Sequence, residues 1–127
     1  MYQPDKTKLR ATVDADVTSL PRSQYLRSYS LSADGDIVAA PGAGNYLLIH
    51  QIQVSNSNAS YDVEIKITEG SGGTALLWWY IIRQGGGYVW RSNRGYRLAE
   101  NTALYLDVVT GTSPSLRVSV EYDVVTA

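Results

Sequence analysis

Apolar and polar residues alternate with a period of two along almost the whole chain, and no segment sustains the i, i+3, i+4, i+7 spacing of an amphipathic helix. Leu9, Ala11, Val13, Ala15 and Val17 alternate with Arg10, Thr12, Asp14, Asp16 and Thr18, a half-buried strand ended before Pro21. Tyr25 to Leu31 and Asp36 to Ala40 read as weaker strands, and Ala40-Pro41-Gly42-Ala43-Gly44 as a turn. Tyr46 to Val54 is a strong strand closed by Ser55-Asn56-Ser57-Asn58. In the next, Tyr61, Val63, Ile65 and Ile67 face the core while Asp62, Glu64, Lys66 and Thr68 face water. Ala75 to Ile82, the short Tyr88-Val89-Trp90, Leu104 to Val109 and Leu116 to Val124 complete the set. Its core faces include Leu104, Leu106, Val108, Leu116, Val118, Val120, Tyr122 and Val124.

At 127 residues without cysteine, the chain is long enough for one hydrophobic core and too short for two self-sufficient ones. Short alternating strands with no helical crossovers predict an all-β fold, an antiparallel β-sandwich of seven to nine strands, jelly-roll-like or immunoglobulin-like. Residues 9 to 127 form the single sandwich domain. Residues 1 to 8, polar with Pro4, Asp5, Lys6 and Lys8, read as an extended N-terminal arm.

One strand breaks the alternation. In Ala75-Leu76-Leu77-Trp78-Trp79-Tyr80-Ile81-Ile82 both faces are apolar: Leu76, Trp78, Tyr80 and Ile82 on one, Ala75, Leu77, Trp79 and Ile81 on the other. A two-sheet sandwich buries only one face of each strand. The second face must lie under the N-terminal arm or a loop, or meet another subunit; the expectation here is a subunit interface, because monomers rarely leave so large an aromatic row in water. Composition agrees: 10 Tyr, 3 Trp and no Phe give every aromatic ring a polar handle, the mix enriched at interfaces.

Catalytic constellations are sparse. The absence of cysteine removes thiolate nucleophiles and cysteine metal sites, so no catalytic residue, cofactor or metal site is assigned. His50 is the only histidine and falls on a face with Leu48, Ile52 and Val54, the setting of a neutral, hydrogen-bonded core or interface histidine rather than a triad base. Asp62 with Glu64, or Glu121 with Asp123, have the separation a glycosidase uses, but their faces also carry Lys66, Arg117 and Ser119 and read as solvated. Gly70-Ser71-Gly72-Gly73 and Gly85-Gly86-Gly87 lack the Gly-Lys-Ser/Thr and helix of a phosphate loop and are hairpin loops. Asn58-Ala59-Ser60, a glycosylation-type triplet, reads as a turn. A net charge of -1 argues against nucleic acid as partner. The longest apolar run, eight residues, is far below a membrane span, and the N-terminus shows no signal-peptide apolar region.

Rings and cations interleave at Tyr88, Trp90, Arg91, Arg94, Tyr96 and Arg97, a set suited to a protein hot spot or to stacking on sugars. The turn at 40 to 44 feeding Tyr46-Leu47-Leu48-Ile49-His50-Gln51-Ile52, the Ser55 to Asn58 cluster, the strand Tyr61 to Ile67, Leu98-Ala99-Glu100-Asn101-Thr102-Ala103-Leu104-Tyr105-Leu106 and the terminal Leu116 to Tyr122 together resemble the small β-sandwich virion proteins of tailed bacteriophages, most of all capsid decoration (cement) proteins. The resemblance implies a non-enzymatic protein made in the host cytoplasm and carried on the virion. Such a protein self-assembles, commonly as a trimer, and docks on the outside of the head where capsomers of the major capsid protein meet. The interface residues expected on this reading are Trp78, Tyr80, Tyr88, Trp90, Arg91, Arg94 and Tyr96, with the arm at residues 1 to 8 as a second contact. The rival expectation is a carbohydrate-binding module or tail-fibre domain that recognises host-surface glycans through the same aromatic segment.

Overall fold

A computed structural model describes residues 25–111 and 114–126. The arm at 1 to 8 and the strand expected at Leu9 to Val17 lie outside the described residues. The eight strands are β1 (Tyr25–Leu31), β2 (Gly35–Val38), β3 (Asn45–Asn56), β4 (Val63–Glu69), β5 (Ala75–Ile81), β6 (Gly87–Arg97), β7 (Leu104–Gly111) and β8 (Leu116–Thr126). They form two four-stranded sheets, β1-β8-β3-β6 and β2-β7-β4-β5, with every pairing antiparallel. Successive strands swap sheets except at the β4–β5 hairpin, in the order of two interlocked Greek keys, which makes the fold a jelly roll.

The core is the apolar phase of the alternation. Ile52, Val54, Ile65, Ile67, Leu104, Leu106, Leu116, Val118 and Val120 are wholly buried between the sheets. At about 25 cal/mol per Å² of apolar surface removed from water, this interior is the main favourable term in folding.

Bulges break the phase where simple alternation fails. In β3 the register with both neighbours shifts between Ile49 and Gln51, so Leu47 and Ile49 point inward on one side of the bulge and Ile52 and Val54 on the other. Leu48 therefore does not share a face with Ile52, contrary to the even alternation, and His50 occupies the extra position. A bulge between Asp36 and Val38 puts both Ile37 and Val38 inside, and one in β5 inserts Leu76 opposite the Ile67–Thr68 step; Thr68, which strict alternation assigns to water, is buried although β4 keeps its phase against β7.

Other boundaries move for local reasons. Asn56, expected in a turn, ends β3 fully buried, donating from Nδ2 to the carbonyls of Tyr61 (2.9 Å) and Ile81 (3.3 Å) and accepting the backbone N–H of Asn58. Asn58 Oδ1 in turn accepts the backbone N–H groups of Ser60 and Tyr61, so β4 starts only at Val63. Tyr61, expected on the core face, is 49% exposed as a result, whereas Tyr122 is buried as expected. Val124, also expected inside, is exposed near the end of β8, and Asp123 is buried in its stead. The segment after Trp90 continues as one strand to Arg97.

Candidate interaction surface at the β5–β6 end

Strands β5 and β6 are the edge strands of opposite sheets at the same lateral end of the sandwich. They touch through the rings of Trp79 and Tyr88, whose centroids lie 5.3 Å apart. Residues 82–86 cross from one sheet to the other and are tied to the end of β3 by backbone bonds: Gln84 N–H to Asn58 O, Gly85 N–H to Asn56 O and Asn56 N–H to Gly86 O. Among the described residues, this end carries the most exposed large apolar side chains, Trp78, Tyr80 and Ile82.

On β5, Leu77 and Ile81 point into the core and Trp79 packs against it. The opposite face is open: Trp78 is 57%, Tyr80 56% and Ile82, just past the strand, 61% exposed. Among the described residues, nothing covers the second face of this doubly apolar strand. Trp78 stands directly opposite Lys66 yet donates its indole N–H to Glu64 Oε2 at 2.7 Å. Tyr80 stands opposite Glu64 yet donates its hydroxyl to Asp62 Oδ2 at 2.9 Å. Both rings thus lean diagonally over β4 in the same sense, one pleat repeat apart, with their polar atoms already bonded. The Lys66 ammonium lies 5.0 Å from the Trp78 ring centroid and 3.5 Å from Asp107, and Thr110 donates to Glu64 Oε1.

Electrostatics fix this row further. Asp62 accepts the backbone N–H of Arg83, the Tyr80 hydroxyl and the Arg83 guanidinium, and these donors hold its carboxyl below the ordinary value. A general acid needs the opposite shift. The hydrogen bond to Asp62 raises the Tyr80 phenol in turn, and the hydrogen bond to Glu69 raises that of Tyr96.

On β6 the sequence-predicted residues separate. Directly paired residues share a face, so Tyr88 (opposite Val54), Trp90 (opposite Ile52) and Tyr96 (opposite Ile49) belong to the inner side of their sheet. Tyr88 and Tyr96 remain exposed because β6 is an edge, whereas Trp90 packs against the core and stacks edge-on with Tyr96 at 6.4 Å. Trp90, expected at an interface, is thus half-buried, with part of its ring packed on the core. Arg91, opposite Gln51, and Val89, opposite Gln53, project from the outer face. Residues 92–95 have no counterpart in β3 beyond the single residue His50, and they carry the exposed Arg94. Gly95 closes this excursion at φ +84°, where a Cβ would stand 2.6 Å from Leu48 Cγ. Beside Tyr88 and Val89 an open depression of about 290 Å³ reaches Gln53, Ser55 and Gly85.

The seven residues expected at an interface therefore lie at one end of the molecule but on three surfaces. Trp78 and Tyr80 face out from one sheet, Arg91 from the other with the exposed Arg94 on the 92–95 excursion beside it, and Tyr88, Trp90 and Tyr96 lie on the inner side of the β6 edge. The exposed Ile82 and Val89 join them, and Glu64, Asp62 and Lys66 set the orientation of the rings.

His50 is buried, with Nε2 2.7 Å from Asp123 Oδ2, in keeping with a hydrogen-bonded interior histidine. Asp123, expected on a solvated face with Glu121, is buried as its partner. Alternation could not reveal this pair, because the bulge at His50 and the end of β8 both depart from it. Among the described residues no group of three or more His, Cys, Asp or Glu is arranged to hold a metal ion, and no helix is long and apolar enough to cross a membrane. No protein-family model matches the chain, and no curated protein matches it.

Proposed function

We propose that this protein is a non-enzymatic interaction module that docks on other protein subunits through its β5–β6 end, acting as a capsid decoration protein on a bacteriophage virion. The observation that carries this reading is the row Trp78, Tyr80 and Ile82, each more than half exposed, beside the exposed Tyr88, Val89 and Tyr96. Four half-exposed rings alone leave about 300–500 Å² of aromatic surface in water, at the upper end of what monomers tolerate. Jelly rolls are frequent in viral capsid domains, which favours the virion setting, although a fold alone never fixes a function. The sequence resemblance supplies the partner, the major capsid protein. The test is cosedimentation with decoration-free heads of the phage that encodes the chain. Wild type is expected in the pellet and a Trp78→Ala/Tyr88→Ala variant of unchanged fold in the supernatant; equal pelleting of both overturns the reading.

A second reading draws support from the Trp78–Tyr80 row itself. Both rings have their polar atoms bonded to Glu64 and Asp62, beside further hydrogen-bonding groups on Lys66, Asp107 and Thr110. An aromatic shelf edged by carboxylates suits a sugar face, and jelly rolls are also frequent in lectins. Specific binding on a glycan array, lost in Trp78→Ala, selects this reading; a blank array with head binding retained rejects it.

A further inference from the structure

We infer that the open edge of β1 is the docking site of residues 9–17 of the same chain, which add a fifth strand to the β1-β8-β3-β6 sheet. Each sheet has two outer strands, and the four edges differ. β2 is four residues long and bulged, β5 carries the inserted Leu76, and β6 is interrupted by the 92–95 excursion. Such irregularities keep other chains from pairing with an edge. β1 has none of them. Its ladder with β8 runs unbroken from Tyr25–Tyr122 to Leu31–Leu116, seven residues with one charge, Arg27, and no proline. Among the described residues no strand pairs with its other side. A regular edge of this length is a template for one more strand.

The segment that fits this edge is covalently at hand. In the chain that leads into β1, Leu9, Ala11, Val13, Ala15 and Val17 alternate with Arg10, Thr12, Asp14, Asp16 and Thr18, and residues 18–24 connect them to Tyr25. Consecutive strands are neighbours in about two-thirds of cases, and a reversal within the connection returns this segment antiparallel to β1. No other open edge begins so close in sequence to the segment.

Parity fixes the register. Directly paired positions share a face, so positions 25, 27, 29 and 31, opposite the buried Tyr122, Val120, Val118 and Leu116, belong to the inner side. With 18–24 as the connection, Val17 meets position 25, Ala15 position 27, Val13 position 29 and Ala11 position 31. The apolar row then continues the inner face, and Thr12, Asp14 and Asp16 continue the outer one. A slip of one residue would reverse both rows. The same pairing sets where residues 1 to 8 emerge: past Leu31, by the start of β8, at the lateral end away from β5 and β6.

Hydrogen exchange of the full chain, read amide by amide, tests whether the edge is covered. In an antiparallel ladder alternate N–H groups point to opposite sides, so an open β1 protects every other amide and a covered one protects all of them. The expectation is that successive amides of residues 26–30 all exchange at least about a hundredfold more slowly than in an unpaired chain. Alternating slow and fast amides overturn the inference. Disulfide trapping identifies the occupant, in a chain that has no cysteine of its own. Thr12→Cys/Ser30→Cys puts two cysteines directly opposite on the outer side, within disulfide reach. On oxidation this pair is expected to close within one chain, read by intact mass, while Thr12→Cys/Leu26→Cys, four residues out of register, stays open. Closure of the second pair instead, a disulfide between two chains, or closure of neither overturns the inference.

Discussion

Single residues divide here into those that hold the fold and those left exposed for the proposed contact, and substitutions separate the two. Ile65→Ala, in the sealed core, is expected to cost about 2–5 kcal/mol in urea unfolding. Trp78→Ala is expected to cost no more than about 1 kcal/mol, since it removes one exposed ring and one exposed hydrogen bond. Asn56 is the polar counterpart of the core: Asn56→Ala strands two carbonyls and an N–H and is expected to cost about 2–3 kcal/mol, read as a lower midpoint at unchanged m-value. Asp62 makes a pH-dependent contribution. Its donors lower the folded carboxyl below the ordinary 3.8, so the stabilisation is present above about pH 4 and is lost as pH falls through the lower folded value. Wild type should exceed Asp62→Asn in stability by a constant margin at neutral pH, and that margin should close in acid; a margin that persists at pH 2 contradicts the assignment.

At the scale of strands, the regular parts were legible and the bulges were not. Alternation located the strand centres and their inward residues, because one buried face per strand imposes a period of two. It failed at Thr68, which is buried although β4 keeps its phase against β7, and at Asp36 to Val38 and His50, where one inserted residue resets the phase without a local composition signal. The same insertion hid the His50–Asp123 pair. The exposed row on β5 was legible because it violates alternation over eight residues. The position of Trp90 was not, since an edge strand's inner and outer rings look alike in sequence. The excursion at 92–95 offers a test at this scale. Gly95→Ala places a side chain at left-handed φ, costing about 1–2 kcal/mol, and also drives its Cβ into Leu48. Adding Leu48→Ala relieves the overlap but not the backbone, so a double-mutant cycle should show favourable coupling between the two. Strict additivity contradicts the packing described.

At the scale of the molecule, the jelly roll closes its core, and among the described residues β5 and β6 have no outer strand partner at their shared end. Natural sheets usually blunt such edges with charge, bulges or cover. Here the 92–95 excursion and Arg91 and Arg94 interrupt β6, while the rings of Trp78, Tyr80 and Tyr88 remain in water. An edge guarded against indiscriminate pairing yet rich in aromatic surface is what the proposed selective contact requires. Hydrogen exchange on the protein, free and bound to phage heads, tests this most directly. The account predicts that binding slows exchange in β5 and β6, residues 75–81 and 87–97, and leaves β2 and β7 unchanged. Protection confined to the opposite end, with β5 and β6 exchanging as in the free protein, would contradict it.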